Sequence, residues 1–284
     1  MTPPDGPRAY PRTVFRPARI APSSGFGTLA PGNSATVPDR RRRRMNDSET
    51  NGARALALVT GASTGIGYEL ARGLAARRYD LVLVADDDAI RPVAAEFAPQ
   101  GITAHAIEAD LATNVGLAEV RRSLDALERP IEVAALNAGV GAYGRFDRMP
   151  IDDDLRVIAL NVTATVRLAK YVLKPMVDRG HGRVLFTSSS AAAMPGPQFA
   201  TYAASKAFVQ SFAEAVRDEL ADTGVCVTTL MPGATDTEFF DRAGMEGTAL
   251  ARGPKADPED VANRGLEALF AGTDCVEIGV AQRV

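Results

Sequence analysis

Short apolar runs alternate with longer helical patterns along this chain from residue 55 onward. The runs predicted to be strands are 55–60, 79–85, 102–109, 131–137, 182–188, 225–231 and 275–280, and the clearest helical patterns are 66–78, 117–128, 152–179 and 203–223. Continuous apolar strands separated by helices are typical of a parallel sheet that is covered on both faces. The sequence therefore predicts an α/β fold, a single doubly wound domain over residues 53–284 with a seven-stranded parallel sheet. Such sheets bind ligands at the carboxyl ends of their strands.

Residues 1–50 have a different composition and are predicted to be a disordered extension rich in arginine and proline. Up to residue 44 this stretch holds nine arginines and two aspartates, and it ends in the run Arg40 to Arg44. Three interpretations are open: an organelle transit peptide, a basic tether for nucleic acid or membrane, and a segment upstream of a true start at Met45. We favour the start at Met45.

Charge and composition exclude several classes of function. The net charge is −3 over 284 residues, which gives no general attraction to nucleic acid or to an anionic membrane. The two histidines and two cysteines show no metal-ligand spacing, so we expect no metal site and no histidine-based triad. No apolar run approaches the ~18 residues of a membrane span, and no secretory signal is recognisable. We therefore expect a cytoplasmic protein.

A glycine-rich turn, GASTGIG at 61–67, follows the first predicted strand and leads directly into a helix. Glycines permit a tight turn and a close approach of the backbone to a ligand. The N-terminus of the helix offers unpaired N–H groups that suit a pyrophosphate. This position between the first strand and the first helix favours dinucleotide binding, although a turn needed only for packing is the alternative.

A serine, a tyrosine and a lysine follow the fifth predicted strand. Tyr202 and Lys206 lie four residues apart in YAASK, so on a helix they share one face about a turn apart. A free tyrosine titrates near ~10, and a neighbouring cation favours its phenolate. Ser189 is too distant to share that helix but is reachable from the end of the strand. The spacing indicates proton transfer, and an ordinary amphipathic helix is the alternative.

Five motifs occur in one order: TGASTGIG at 60–67, NAG at 137–139, Ser189, YAASK at 202–206 and PGATDT at 232–237. Together they resemble the short-chain dehydrogenase/reductase (SDR) family over about residues 53–280. The glycine spacing is similar to that of the compact branch of the family. The resemblance implies a Rossmann-type domain, a nicotinamide dinucleotide cofactor, and hydride transfer between a carbonyl and a secondary alcohol.

The resemblance implies a catalytic tetrad of Asn161, Ser189, Tyr202 and Lys206. Tyr202 would exchange a proton with the substrate oxygen, with Lys206 lowering its pKa. Ser189 would hydrogen-bond the same oxygen, and Ser188 or Ser190 is the alternative. Asn161 would form a local irregularity within its helix and hold a water linked to Lys206, unless it is simply a satisfied polar residue.

The resemblance also implies a set of cofactor-binding residues. These are Gly61, Ser63, Thr64, Gly65, Ile66, Gly67, Asp86, Asp110, Leu111, Asn137, Ala138, Gly139, Tyr202, Lys206, Pro232, Gly233 and Thr237. Asp110 would contact the adenine, although it could instead cap the next helix. Asn137 and Gly139 would support the centre of the sheet and the ribose, and Thr237 would bind the nicotinamide carboxamide.

The choice between NAD and NADP depends on the end of the second strand. NADP-using members of the family commonly place an arginine there, whereas this chain has Asp86, Asp87 and Asp88. Carboxylates accept hydrogen bonds from ribose hydroxyls and repel a 2′-phosphate, so NAD is the preferred cofactor and NADP the alternative. In the alternative, the aspartates cap a helix and Arg91 binds the phosphate.

Residues 237–256 are predicted to form a lid over the substrate. Phe239, Phe240 and Met245 are candidate pocket residues, with Tyr143 and Phe146 on the opposite side. Packing within a short helix is the alternative for the phenylalanines. The sequence has no charged cluster for an anionic substrate, so we expect a small apolar carbonyl compound or alcohol.

Two functions from other classes remain open. One is a 3-oxoacyl reductase that uses NADPH, and the other is a non-catalytic dinucleotide-binding sensor on the same fold. By resemblance, a homodimer through the long helices that hold Asn161 and Tyr202 is expected. A tetramer is doubtful because the chain ends in EIGVAQRV.

Overall fold

The computed structural model describes residues 54–194, 196–245 and 247–279. These residues contain seven strands in one sheet, in the order β3-β2-β1-β4-β5-β6-β7. Every neighbouring pair is parallel. The strands are β1 Leu56–Thr60, β2 Asp80–Ala85, β3 Ala104–Glu108, β4 Ile131–Leu136, β5 Gly182–Thr187, β6 Val225–Pro232 and β7 Cys275–Ile278. The predicted seven-stranded parallel sheet is confirmed, while Val280 and the rest of EIGVAQRV beyond residue 279 lie outside the described residues.

The helices of the described residues lie between these strands. They are α1 Gly65–Ala76, α2 Ile90–Ala95, α3 Asn114–Ala126, α4 Ile151–Val157, α5 Thr165–Arg179, α6 Ala200–Glu219, α7 Phe239–Arg242, α8 Ala249–Arg252 and α9 Pro258–Ala271. The helix predicted over 152–179 is interrupted by a π-helical segment, Ile158–Ala164. The sequence analysis did not single out α2 or α9. Proline lies inside α2 and at the start of α9, and proline weakens a helical pattern.

Two apolar layers hold the helices against the sheet. On one face Leu56 and Leu58 of β1 pack with side chains of α3, α5 and α6. On the other face Ala57 and Val59 pack with side chains of α1, α2 and α9. All four side chains are fully buried, which explains why the strand is apolar at every position and does not alternate with polar residues. The doubly wound α/β arrangement is confirmed.

The strand order places the carboxyl ends of β1 and β4 side by side at the centre of the sheet. The chain leaves β1 toward β2 and β3 on one side, and it returns to β4 and continues to β7 on the other. A crevice forms where the connections diverge, and ligands of open α/β sheets bind there. The candidate motifs all follow strands at this edge.

The N-terminal prediction, residues 1–50 with Met45, lies outside the described residues. Among the residues that the structure describes, no helix is long and apolar enough to cross a membrane. The cytoplasmic location stays a prediction.

Candidate active site

The glycine turn between β1 and α1 packs against the start of the predicted lid. Gly61 has φ +65° and Gly65 has φ +56°, both in the left-handed region that favours glycine. A Cβ atom at Gly65 would lie 2.7 Å from Cγ2 of Thr237, at the start of the predicted lid. The turn, whose residues are all buried or half-buried, is therefore bordered by the lid.

The N-terminus of α1 differs from those of α3 and α9. Thr113 caps α3 by accepting a hydrogen bond from Gly116 N at 3.0 Å, and Asp257 caps α9 by accepting one from Glu259 N at 2.8 Å. At α1, no side chain of the described residues caps the helix from Thr64, and its first turn carries no acidic residue. The N–H groups at this end are thus available to an anion, in a geometry that suits a phosphate.

Hydrogen bonds join the carboxyl ends of the three central strands. Thr60 Oγ1 accepts hydrogen bonds from the backbone N–H groups of Asn137 and Ala138, both at 3.0 Å. The Asn137 amide donates to Thr60 O at 3.2 Å and accepts from Thr187 Oγ1 at 3.1 Å. These bonds fix the floor of the crevice. The sequence analysis gave no role to Thr60, the first residue of TGASTGIG, and missed Thr187, which lies outside the five motifs.

Ser189, Tyr202 and Lys206 converge at the edge of this floor. All three are buried, Ser189 directly after β5 and the other two on the inner face of α6. Lys206 Nζ donates to Thr187 O at 3.0 Å and lies 5.9 Å from the centre of the Tyr202 ring. The i, i+4 spacing thus places the two side chains together, as the sequence predicts.

The geometry distinguishes Ser189 from its neighbours. Ser188 Oγ donates to the backbone oxygen of Lys206 at 2.9 Å and so fastens β5 to α6. Ser189 Oγ accepts a hydrogen bond from Ala191 N at 3.2 Å, and the side chain lies close enough to the phenol to lower the pKa of Tyr202. Ser190 begins a short 3₁₀ turn, Ser190–Ala192. Ser189 is therefore the serine that faces the phenol.

Burial dominates the protonation of the pair. It raises the pKa of Tyr202 to about 12, against the smaller lowering effect of Ser189. It also lowers the pKa of Lys206 to about 8 because the ammonium loses hydration. Desolvation therefore outweighs the other influences on the pKa of the phenol in this structure, and the lowering of that pKa by Lys206 stays a prediction.

Asn161 lies in the π-helical segment and is almost completely buried. Its amide accepts a hydrogen bond from Val140 N and donates to Val140 O, both at 2.9 Å. The amide also donates to Ser205 Oγ at 2.9 Å, and Ser205 donates to Tyr202 O at 2.7 Å. The expected irregularity in the helix is present, and the side chain connects the loop after β4 to α6. Asn161 does not line the cavity described below, and its role in holding a water stays a prediction.

At the other end of the crevice, Arg156 of α4 bridges two of the predicted cofactor residues. Its Nη1 donates to Asp110 Oδ2 at 2.9 Å, and its Nη2 donates to Asp86 Oδ2 at 3.2 Å. Burial raises the pKa of Asp110, but the hydrogen bonds from Arg156 and from Ala112 N outweigh it and lower the pKa. The hydrogen bond to Asp110 raises the pKa of Arg156. The sequence analysis missed Arg156 because α4 carries no cofactor motif.

The second aspartate after β2 connects the glycine turn to the lid. Asp87 Oδ2 accepts a hydrogen bond from Ser63 Oγ at 2.9 Å and lies 3.6 Å from Arg242 Nη2 of α7. Arg242 also donates to Glu238 at 2.9 Å. Arg91, the alternative phosphate ligand, instead donates to Glu108 at 3.2 Å.

Aromatic rings surround Tyr202. The centre of the Tyr202 ring is 5.2 Å from that of Phe239 and 6.0 Å from that of Phe199. A Cβ atom at Gly141 would lie 2.6 Å from Phe239 Cζ, so the glycine makes room for this ring. Phe239 and Phe240 line the cavity, with Phe199 and Met194 in addition.

The other three pocket candidates do not line the cavity within the described residues. Met245 is fully buried and packs behind Phe240. Tyr143 packs edge-on against Phe199 at 5.0 Å. Phe146 is 65% exposed on a short 3₁₀ turn. These predictions were wrong because distance along the chain does not show which face of a loop meets the crevice.

One cavity of about 670 Å³ contains these features. All the candidate cofactor residues line it, as do Ser189 and, from the lid, Glu238, Phe239, Phe240 and Arg242. Its volume lies within the ~300–1,000 Å³ of small-molecule and cofactor sites. The uncapped end of α1, the glycine turn and the carboxylate of Asp86 suit the pyrophosphate and ribose of a dinucleotide. Among the described residues, no group of histidine, cysteine, aspartate and glutamate side chains could hold a metal ion.

Comparisons with known proteins agree with this geometry. A family model described as short chain dehydrogenase matches residues 55–246. A 3-oxoacyl-[acyl-carrier-protein] reductase of Synechocystis is 35% identical over 214 residues, 73% of this chain and 85% of that protein. A probable oxidoreductase, EphD, of Mycobacterium tuberculosis is 30% identical over 220 residues, 76% of this chain but only 36% of the relative. The chain thus spans about a third of the mycobacterial relatives' length.

Solved structures give the same result. A short-chain dehydrogenase from Sphingobium yanoikuyae in complex with NADPH is similar with a TM-score of 0.74 and 31% identity, covering 81% of this chain and 89% of that chain. A bulky-bulky ketone specific alcohol dehydrogenase from Comamonas testosteroni gives a TM-score of 0.70 with 29% identity, covering 81% and 88%. With the family model matching most of the described domain, the chain belongs to the short-chain dehydrogenase/reductase family.

Proposed function

We propose that this enzyme interconverts a carbonyl compound and a secondary alcohol with a nicotinamide dinucleotide as the hydride carrier. One observation carries the proposal. Ser189 and Tyr202 face each other in the same cavity that the glycine turn and the uncapped end of α1 border. Proton donors and a phosphate-binding backbone in one cavity match a reaction that moves a proton and a hydride together. The nicotinamide ring supplies the hydride when the cofactor is bound.

Tyr202 is the general acid in reduction and the general base in oxidation. With a pKa of about 12 the phenol is protonated at neutral pH, so it can donate to the carbonyl oxygen as negative charge develops there. Ser189 donates a second hydrogen bond to that oxygen and holds the carbonyl in place. The buried site strengthens both interactions because little water competes for them.

Lys206 stabilises the phenolate that remains after proton transfer. Its ammonium is anchored to Thr187 O, beside the Tyr202 ring, where a positive charge favours the phenolate. Asn161 positions this assembly through Val140 and Ser205. We further propose that a water at Asn161 links Lys206 to solvent.

The candidate cofactor residues divide by position along the crevice. The turn at 61–67 and the N–H groups of α1 bind the pyrophosphate. Asp86 accepts hydrogen bonds from the adenosine ribose, Asp110 and Leu111 border the adenine, and Thr237 reaches the carboxamide. Asp86 favours NAD over NADP because its carboxylate repels a 2′-phosphate.

The substrate is an apolar carbonyl compound that binds between Tyr202 and the lid. Besides Ser189 and Lys206, the phenol is bordered by the rings of Phe199 and Phe239, which bury apolar surface and carry no charge. The lid, residues 237–256, covers the substrate and excludes water.

A paired titration with NADH and NADPH, followed by a panel of carbonyl compounds, tests this function. We expect NADH to bind more tightly and aryl or alkyl ketones to be reduced faster than acetoacetyl-CoA. The relative from Synechocystis makes a 3-oxoacyl reductase the second candidate. Preference for NADPH together with fast reduction of acetoacetyl-CoA would establish that candidate instead. Binding of a dinucleotide with no turnover across the panel would indicate a sensor.

We also propose a homodimer through α4, the π segment and α6. Ile151, Leu155 and Ile158 are exposed large apolar side chains at i, i+4 and i+7, and Phe208 of α6 is exposed as well. Light scattering distinguishes monomer from dimer, and we expect a dimer for the wild type and a monomer for Leu155→Asp. A wild type that is monomeric at micromolar concentration contradicts the dimer.

A further inference from the structure

We propose that Arg156 determines whether this enzyme accepts a 2′-phosphate, by exchanging its hydrogen bond with Asp86 for one with the phosphate of NADP. This inference rests on the proposed function, because it assigns a role within the same dinucleotide site. It places the NADP-binding cation on α4, across the crevice from the end of β2.

Arg156 binds its two carboxylate partners unequally. The guanidinium holds Asp110 through two nitrogens, with Nη1 to Oδ2 at 2.9 Å and Nη2 to Oδ1 at 3.5 Å. It holds Asp86 through a single bond, Nη2 to Oδ2 at 3.2 Å. Asp110 is itself fixed by the bond from Ala112 N at 2.9 Å. Arg156 is therefore anchored at Asp110 and free to release Asp86 without leaving the cavity.

The exchange is favourable on electrostatic grounds. The side chains of Arg156 and Asp86 are both 43% exposed, and exposed ion pairs contribute little net free energy. A phosphate monoester carries a charge of about −1.5 to −2 near neutral pH and accepts stronger hydrogen bonds than a single carboxylate oxygen. A guanidinium fork matches phosphate geometry with two parallel bonds.

The same arrangement serves NAD. While Arg156 holds Oδ2 of Asp86, the other carboxylate oxygen, Oδ1, remains available to a ribose hydroxyl. Arg156 also compensates part of the negative charge of Asp86 and Asp110, which weakens the repulsion of a 2′-phosphate. We therefore expect both dinucleotides to bind, with a preference for NADH that is smaller than three consecutive aspartates alone would give.

Two other arginines near this end are less suited. Arg91 has a side chain that is 73% exposed, is paired with Glu108, and does not line the cavity within the described residues. Arg242 lines the cavity but is held by Glu238 and Asp87 at the lid. Arg156 is thus the cation that pairs with Asp86, the residue proposed to bind the ribose.

The test is fluorescence titration of NADH and NADPH on the purified wild type and on Arg156→Gln, Arg156→Lys, Arg91→Gln and Asp86→Asn, each checked for folding by circular dichroism. We expect Arg156→Gln to lower the affinity for NADPH by about tenfold or more and the affinity for NADH by less than about threefold. Arg156→Lys should give an intermediate loss because it keeps the charge and loses the fork. Asp86→Asn should tighten NADPH, and Arg91→Gln should leave both affinities unchanged.

A second probe isolates the 2′-phosphate. Adenosine 2′,5′-bisphosphate should displace NADH more strongly than adenosine 5′-monophosphate from the wild type, and this advantage should disappear in Arg156→Gln. Equal losses of NADH and NADPH in Arg156→Gln, no loss of either, a selective NADPH loss in Arg91→Gln, or a wild type that binds only NADH would each overturn the proposal. A wild type that binds neither dinucleotide would instead refute the proposed function itself.

Discussion

The two ends of the crevice hold charged side chains in opposite ways. At the proposed catalytic end, Lys206 is only 5% exposed and, within the described residues, donates a hydrogen bond to the backbone oxygen of Thr187. At the proposed adenosine end, the side chain of Arg156 is 43% exposed and is shared between Asp86 and Asp110. Among the residues that the structure describes, the first cation is buried with no carboxylate paired to it, and the second is exposed and paired.

This difference suits different tasks. A buried ammonium interacts strongly with a developing phenolate, but its burial lowers its own pKa and costs stability. An exposed ion pair contributes little to stability, so its partners can change when a ligand arrives. The crevice thus combines a buried cation at one end with an exposed ion pair at the other. Four variants test this contrast, two of them at Tyr202 and Lys206.

Tyr202→Phe should give the largest effect. It removes the proton donor while keeping the buried ring, so kcat for carbonyl reduction should fall by about 10²–10⁴-fold. NADH affinity should change by less than about threefold, since aromatic packing is retained. Steady-state kinetics and NADH titration check both, and Tyr143→Phe, whose ring packs outside the cavity, is the matched control. Full activity in Tyr202→Phe would contradict the mechanism.

Lys206→Met should give the next largest effect on activity, with a fall in kcat of about 10²-fold because the phenolate loses its cation. In the wild type, kcat for reduction should decline as the pH rises above about 8, where Lys206 loses its charge. The variant should lack this decline. A pH profile of kcat between 6 and 10 on both proteins is the measurement, and identical profiles would exclude Lys206 as the titrating group.

Lys206→Met should lower activity but remove a cost that burial of the ammonium imposes on the stability of the wild type. Lys206 has a pKa of about 8 in the folded protein, below its ordinary value of 10.5. Between these values the unfolded chain binds more protons, so the free energy of unfolding rises with pH in that window, and the full cost of burial applies below pH 8. The wild type should therefore gain stability relative to Lys206→Met as the pH rises from 8 to 10.5, by on the order of 3 kcal/mol. Urea unfolding at several pH values checks this, and parallel curves would show that the ammonium carries no burial cost.

Asn161→Ala should mainly affect stability, because Asn161 connects the loop after β4 to α6. It removes three buried hydrogen bonds, to Val140 N, Val140 O and Ser205, and should lower the free energy of unfolding by about 1–3 kcal/mol. Loss of the connection to α6 should also lower kcat. Asn114→Ala is the exposed control and should stay within about 0.5 kcal/mol of the wild type. Equal changes in the free energy of unfolding and in kcat for both variants would show that Asn161 does not position α6.

Arg242→Gln should give the smallest effect. Its ion pairs with Asp87 and Glu238 are exposed, so the free energy of unfolding should change by less than about 1 kcal/mol. The affinities for NADH and NADPH should fall equally, by about two- to threefold, because the lid loses its contact with Asp87. Chemical denaturation and dinucleotide titration measure these changes. A large loss of stability would mean that the adenosine end is as rigid as the catalytic end.

The two ends also differ in how far the sequence predicts them. The strands and the pairing of Tyr202 with Lys206 follow from apolar runs and from i, i+4 geometry, and both are local signals. Arg156 reaches Asp86 across 70 positions of chain, and Thr187 meets Asn137 across 50. No local pattern encodes these contacts, because they depend on how the crossover helices pack. The net effect of burial on Tyr202 likewise depends on side chains from separate parts of the fold.

The open N-terminus of α1 has a consequence for the whole domain. Thr64 and the first turn leave N–H groups without a capping side chain, whereas Thr113 and Asp257 complete the corresponding turns of α3 and α9. An anion bound at this position supplies the acceptors that a capping residue supplies elsewhere. A bound dinucleotide would then act as the cap of α1. The free energy of unfolding should therefore rise with the concentration of the cofactor.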